Sequence, residues 1–375
     1  MRSSLEKIKP QVRALRAYSL SPHRASVKIN QNENPWDAPV RLKQETLQRL
    51  EGRQWSRYPD FVPANLQARL AEFSGWRPEG IIAGNGSNEL IQALLMVTIG
   101  PGKRVLICVP TFALYRQIST VLGGDVISVP LTTALTYDIN ALKVTVSELQ
   151  PDVTIICSPN NPTGCVLSDR DLRLLLGSTG GLVVVDEAYH EFAGHSVVPL
   201  LREHENLVVL RTFSKAMAMA ALRVGYLLAS PELTSEIGKA VLPYNLNTVS
   251  QTAAEVAVEL YEEELLPQVR RIVAERERLY GELGRIEGLA PVSSHGNFMV
   301  VRSSIDPKRV FVELLERNIL IRDISGYPML SEYFRVSVGT PEENGLLLSA
   351  LSEIAVRVST EGETTSGVNR EGIKR

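Results

Sequence analysis

The sequence predicts an α/β protein built on a mainly parallel sheet flanked by helices, with a smaller α/β piece after it. Between about residues 80 and 230, short branched-apolar runs, RVLICV, DVISVP, VTIICS, LVVVDE, LVVLRT and VGYLLA, are separated mostly by helix-length segments. Continuous Val/Ile runs of this length, rather than alternating ones, argue for strands buried on both faces. The chemically interesting residues follow directly: Asn161 after VTIICS, Asp186 after LVVV, and Thr212, Ser214 and Lys215 after LVVLR. In open parallel sheets ligands bind beyond those carboxyl ends.

Taken in chain order, MRSSLEKIKPQVRALRAYSL carries basic residues throughout and has no uninterrupted apolar run, so it reads as an amphipathic helix rather than a signal peptide. GNGSNELIQALL, from residue 84, opens a helix after a glycine-rich turn. After the strand-bearing region, PELTSEIGKAV, SQTAAEVAVELY and QVRRIVAERERLYGELGRI read as helices, the charges of the last forming a solvated face. NFMVVR, ILIRD and FRVSVG read as strands, with PKRVFVELLERN a helix among them and a last helix near 341 to 356. A chain of 375 residues exceeds what one core usually serves. The expected division is residues 1–35 packing with the smaller domain, 36–262 as the large domain and 263–357 as the small one. Residues 358–375 have almost nothing apolar to bury and are expected to be disordered.

The formal charge of −2 implies neither nucleic acid nor an anionic membrane as partner. No stretch approaches a membrane span. Cys108, Cys157 and Cys165 lack paired metal-ligand spacing and read as small buried residues of a cytoplasmic protein. His190, His195 and His204 are not placed on one helical face with a carboxylate, so no metal is expected.

Lys215 stands in TFSKAMAMAALRVGY, close to Thr212, Ser214 and Arg223. Hydroxyls and a forked guanidinium hold a phosphate dianion, and an amine among them suits condensation with a clamped aldehyde such as pyridoxal phosphate. Gly86, Ser87 and Asn88 at a helix start supply free amides for the same anion. Asp186 on a buried strand needs a cation, which a protonated pyridine nitrogen provides. Tyr189 and Asn161 are placed to hydrogen-bond the ring's phenolic oxygen, and Tyr115 to stack on the ring.

These segments resemble the fold type I pyridoxal-phosphate aminotransferases, and within them the histidinol-phosphate aminotransferase group. The resemblance rests on NENP (32–35), RYPD (57–60), GNGSNEL (84–90), SPNNPTG (158–164), VDEAY (185–189), TFSKA (212–216), LRVGY (222–226), PYNLN (243–247), LIRD (320–323) and FRVSVGT (334–340), collinear along the chain. It implies Lys215 as the catalytic lysine, a homodimer in which Tyr58 reaches the partner subunit's cofactor phosphate, and Arg322 and Arg335 as forks for substrate carboxylate and phosphate. Tyr18 and Tyr244 complete the implied substrate pocket. The implied reaction is transamination of histidinol phosphate with 2-oxoglutarate. Phenylalanine or tyrosine transamination and decarboxylation of an amino-acid phosphate are the alternatives on the same scaffold. A non-catalytic regulatory module is disfavoured by the complete lysine, aspartate and arginine set. One departure is Ala221, where such proteins usually have glycine; its methyl is expected to crowd the phosphate loop slightly without loss of binding.

Overall fold

The computed structural model describes residues 4–17 and 22–368. Its strands are β1 (Val27–Lys28), β2 (Ile81–Gly84), β3 (Arg104–Val109), β4 (Asp125–Pro130), β5 (Val153–Cys157), β6 (Leu182–Asp186), β7 (Leu207–Thr212), β8 (Gly225–Leu228), β9 (Leu289–Pro291), β10 (Phe298–Ser303), β11 (Ile319–Leu320), β12 (Arg322–Asp323) and β13 (Tyr333–Ser337). A seven-stranded sheet runs β2-β8-β7-β6-β5-β3-β4. Pairing is parallel from β7 to β4 and antiparallel at β7–β8 and β8–β2. Every residue of β5 and β7 is buried, which is why those runs are apolar without alternation. Successive side chains nevertheless enter different layers. Val183 and Val185 pack with Leu172 and Leu200 on one face, whereas Val184 packs with Leu90 and Leu94 on the other.

Register aligns the strand ends that matter. Cys157 pairs with Asp186, Asp186 with Leu210, and Thr212 with Gly225. The chain leaves β3 for β4 on one side and returns to β5 on the other, so a crevice opens between the ends of β3 and β5.

The second sheet, β12-β13-β10-β9, is antiparallel throughout. β1 joins it indirectly, pairing in parallel with β11, while Ile29 N–H donates to the Leu320 carbonyl (3.0 Å) and its own carbonyl accepts from Ser337 N–H (2.9 Å). The helix Thr248–Glu259 leads through a π-helical turn at Tyr261–Leu265 into the helix Leu266–Leu283, carrying the chain from one sheet to the other.

Two local expectations are corrected, and one strand has no sequence signal at all. The N-terminal amphipathic helix is instead a 3₁₀ turn at Ser4–Lys7 and a short helix at Pro10–Ala14. Pro10 disfavours helical geometry at Lys9, whose ψ is 134°. That short helix lies by the helix Ala113–Leu122, with Lys9 Nζ donating to the Val121 carbonyl at 3.2 Å. At the other end, the helix Pro341–Val368 continues past Val358 into the segment expected to be disordered, whose residues 369–375 lie outside the described residues. Once a helix is nucleated by its buried first turns, each added residue gains a backbone hydrogen bond at little further cost. Finally, β2 went unread, because four residues including Ala83 and Gly84 give no strand signal.

Behind the crevice, Arg211 is buried and its Nε donates to Glu187 Oε2 at 3.0 Å. Its other nitrogens reach Ser196 Oγ (2.6 Å) and the Tyr226 hydroxyl (3.2 Å). Arg211→Met would strand the Glu187 carboxylate, at a cost of about 3–5 kcal/mol. We expect a clear fall in the urea midpoint followed by circular dichroism. Arg173→Met, which breaks the exposed pair with Glu203, should leave that midpoint near the wild-type value.

Candidate active site

A cavity of about 260 Å³ lies at the crevice, walled by both sheets. The larger sheet supplies the strand-end residues. Lys215 Nζ is within it, donating to the Gln31 carbonyl at 2.9 Å. Burial pushes its pKa down to about 7, reinforced by the positive charges of Arg335 and Arg223 and opposed by Glu33. A lysine of this kind is a free amine about half of the time at neutral pH, where an ordinary one is almost wholly protonated.

On the next strand, Asp186 is buried, and its Oδ2 accepts from the Tyr115 hydroxyl at 2.6 Å while Oδ1 accepts from Ala188 N–H at 3.0 Å. Burial raises its pKa and those two hydrogen bonds pull it down. Only neutral donors hold the carboxylate, so a cation on the cavity side would stabilise its charge. Tyr189 is held as a neutral phenol, its pKa raised by burial. Its oxygen accepts from Asn32 Nδ2 (3.1 Å) and Asn161 Nδ2 (3.3 Å), which leaves its own proton to donate.

At the other end of the cavity is a built anion cradle. Arg223, in a left-handed conformation (φ 55°), donates from one nitrogen to Ser214 Oγ (3.1 Å) and the Ala220 carbonyl (3.0 Å). Ser87 and Asn88 begin the helix Ser87–Thr98 beside it. Gly86 has φ +80°, and a Cβ there would lie 2.5 Å from an Arg223 nitrogen. Gly225 lets the same turn pass over β8, since its Cβ would meet Ser87 N at 2.4 Å. Free amides, a hydroxyl and a guanidinium around space that glycines keep open fit a phosphate, and Asp186 with Tyr189 fits a protonated heterocycle bearing a phenolic oxygen. Thr212 lines the cavity, but its hydroxyl donates to the Val224 carbonyl (3.3 Å) and accepts from Ser214 N–H (3.1 Å), which shapes the turn before Lys215. Ala221 is exposed on the turn Ala220–Leu222.

The second sheet supplies the arginines. Arg322 on β12 and Arg335 on β13 are direct cross-strand partners, and both line the cavity. Arg335 is anchored by Asn161 Oδ1 (2.6 Å) and the Asn30 carbonyl (2.8 Å).

The expected residues do not all converge. Tyr58 is 80% exposed and lies outside this chain's cavity, its ring stacked on Tyr244 at 4.4 Å between centroids. Tyr244 is likewise absent from the cavity wall. Tyr18 lies outside the described residues. Tyr115, whose ring was expected to stack on the cofactor, does line the cavity; its hydroxyl donates to Asp186, and Phe112 stands edge-on to it at 5.5 Å. Phe112, Asn30, Gln31, Asn32 and Tyr327 also line the cavity and were not singled out. Asn32 lay in the NENP motif, and Phe112 directly follows a strand and its Pro-Thr turn, so both had a signal; Tyr327 had none.

The model of the family described as aminotransferase class I and II matches residues 25–351. A protein of Chlorobium phaeovibrioides, named histidinol-phosphate aminotransferase, is 38% identical over 355 residues, covering 94% of this chain and 98% of that protein. Histidinol-phosphate aminotransferase 1 of Carboxydothermus hydrogenoformans is 42% identical over 335 residues, covering 89% of this chain and 95% of its own. The crystal structure of histidinol-phosphate aminotransferase from Sinorhizobium meliloti in complex with pyridoxal-5'-phosphate superposes with a TM-score of 0.85 at 23% identity, covering 96% of this chain and 100% of that one.

The lowered pKa of Lys215 sets a pH dependence. Below about 7 the amine is protonated and cannot attack an aldehyde; above it the amine is free. Attachment of pyridoxal phosphate to the apoprotein, trapped with borohydride, should therefore rise with pH with a midpoint near 7. Arg335→Gln removes a cation and should move that midpoint upward. A wild-type midpoint near that of an ordinary lysine would contradict the electrostatic reading.

Proposed function

The chain belongs to the class I and II aminotransferases, and we infer that it transfers the amino group of L-histidinol phosphate to 2-oxoglutarate, forming imidazole acetol phosphate and L-glutamate in histidine biosynthesis. Its cofactor is pyridoxal 5'-phosphate. The observation that carries the substrate assignment is the pairing of Arg322 with Arg335 directly across neighbouring strands. Like charges so placed repel. A phosphate or carboxylate against both relieves the repulsion, and because the oxygens of the two anions have similar spacing, one pair of forks serves histidinol phosphate in one half-reaction and glutamate in the other.

When bound, the cofactor supplies an aldehyde that links to amines and a ring that takes up the electron pair left as a Cα proton departs. The chain's own residues do the rest. Ser87, Asn88, Ser214 and Arg223 hold the phosphate. Asp186, oriented by Tyr115 and Ala188, keeps the ring nitrogen protonated by offering it an anionic partner. Tyr189 and Asn161 hydrogen-bond the phenolic oxygen. Lys215 Nζ, close to half-deprotonated at neutral pH, takes the proton from the substrate's Cα, holds it and gives it back at the end of the transfer. Arg322 and Arg335 orient the substrate so that its Cα–H bond faces that nitrogen.

A second copy of the chain completes the enzyme in this reading. Tyr58, Phe61 and Leu242 are exposed by 80%, 66% and 72%; Tyr58 and Phe61 meet on Tyr244, and Phe61 and Leu242 line one groove, an apolar patch that a second copy would cover. Within a homodimer covering that face, Tyr58 reaches the partner subunit's cofactor phosphate. Cys108, Cys157 and Cys165 are free buried thiols, which suits the cytoplasm; cell fractionation that recovered the protein elsewhere would argue against that location.

Lys215→Ala should lower turnover by more than about a thousandfold, and full activity in that variant would remove the mechanism. Mixing it with inactive Tyr58→Ala subunits should restore part of the activity if the site is shared; no recovery despite mixed dimers would refute sharing. In single turnovers of the holoenzyme followed by cofactor absorbance, kcat/KM should be at least about tenfold higher for L-histidinol phosphate than for phenylalanine or tyrosine. Faster aromatic acids would move the function to aromatic amino-acid metabolism, and CO2 release without 2-oxoglutarate would make it a decarboxylase.

A further inference from the structure

The two arginines serve whichever anion arrives, so they cannot by themselves separate a ring-bearing substrate from glutamate. The cavity contains aromatic rings that could, but most are already committed. Tyr115 bonds Asp186 through its hydroxyl at 2.6 Å and meets Phe112 edge-on, with centroids 5.5 Å apart. Tyr189 is tied to Asn32 and Asn161 and stands edge-on to Phe298 at 4.9 Å. These rings surround the Asp186 end of the cavity, where the cofactor's ring is expected.

Tyr327 is different. It lines the cavity from the other sheet, on the loop that follows β12 and thus on the same segment as Arg322. A tight turn fixes it, with Tyr327 N–H donating to the Ile324 carbonyl (2.9 Å) and its own carbonyl accepting from Leu330 N–H (3.2 Å). Beneath it lies a small apolar cluster of Val300, Ile324 and Leu330 from the second sheet's unit and Leu135 from the loop after β4 of the first. Leu135 is 3% exposed and has φ 61°. A leucine adopts that left-handed conformation where its surroundings over-determine it. Its loop is closed on itself by Thr132 and Thr136, whose backbones bond at 2.9 Å and whose hydroxyls bond at 2.7 Å. A leucine carried by one sheet thus completes the cluster from the other sheet's unit against which Tyr327 packs.

We propose that Tyr327 is a specificity-determining residue whose ring forms the wall against which the substrate's flat, ring-bearing side chain packs, and that Leu135 is a positioning residue that holds Tyr327 there. This rests on the histidinol-phosphate reading above: an imidazole is planar and stacks on a tyrosine face, while glutamate has no ring to offer. Arg322, on the same segment, holds the substrate's anionic end in both cases. Selection between the two substrates of one pocket thus falls to the ring wall.

The test compares the two half-reactions of the holoenzyme, reading kcat/KM for L-histidinol phosphate against that for L-glutamate. Tyr327→Ala should lower the ratio by about tenfold or more, and Tyr327→Phe, which keeps the ring, by less than about threefold. Leu135→Ala should move the ratio the same way, mainly through KM for histidinol phosphate, and Leu135→Met, which refills the cluster, should recover it. The double variant Tyr327→Ala/Leu135→Ala should fall no further than Tyr327→Ala alone. Borohydride trapping at Lys215 confirms that each variant is folded and loaded. Equal losses for both substrates in Tyr327→Ala, or an additive double variant, would overturn the proposal. Should the wild-type enzyme prefer phenylalanine to histidinol phosphate, the same ratio is read with phenylalanine; a tenfold fall would then uphold the ring wall while the histidinol-phosphate assignment failed.

Discussion

The buried positive charge around Lys215 is the constraint on which the rest of the site depends. Its amine shares one cavity with Arg223, Arg322 and Arg335, and the carboxylate on the cavity wall is that of Asp186. Among the described residues four basic groups line this cavity against one acid, an arrangement that anions must stabilise. Two anions answer to this, a cofactor phosphate at the Arg223 end and a substrate phosphate or carboxylate at the Arg322–Arg335 end. Burial, reinforced by that positive field, lowers the lysine's pKa toward neutrality, so the enclosed site that attracts the ligands also prepares the amine that works on them.

Neither sheet holds the site alone. Lys215, Arg223 and Asp186 stand at strand ends of the larger sheet, while Arg322 and Arg335 belong to the antiparallel one. Bonds across the gap set their spacing: Arg335 to Asn161, Asn32 to Tyr189, and the Lys215 amine to the Gln31 carbonyl. The segment from Asn30 to Asn32 therefore joins the units, tied to Ser337 on one side and Tyr189 on the other. Leu135 makes an apolar counterpart to these polar ties. Small shifts of one sheet against the other would change the distance between the anion forks and the amine, which is the geometry a proton transfer at Cα depends on.

Much of this was legible in the chain because its signals are local. A strand buried on both faces needs a largely apolar run, and β3 and β5 to β8 announce themselves that way; β4, read the same way, is an edge strand whose Asp125 and Ser128 are exposed. A strand end places its next residues at the crevice, so Asp186, Asn161, Ser214 and Lys215 could be read as neighbours from their positions alone. The misses have equally physical causes. β2 is four residues long and half Ala and Gly. The N-terminal amphipathic pattern ignored what Pro10 does to Lys9, and the polar tail continues a helix whose stability comes from residues before it.

The sequence by itself determined the fold class, the strand-end chemistry and the anion-binding segments, since apolar runs, glycine turns and capped helix starts act over a few residues of chain. Only the tertiary structure decided that Arg322 faces Arg335, that Tyr115 serves Asp186 through its hydroxyl, that Tyr58 and Tyr244 pair at the surface, and that Leu135 joins the cluster against which Tyr327 packs. Each of these is a meeting of residues far apart in the chain, set by strand register and by how two sheets pack, and no local pattern records it.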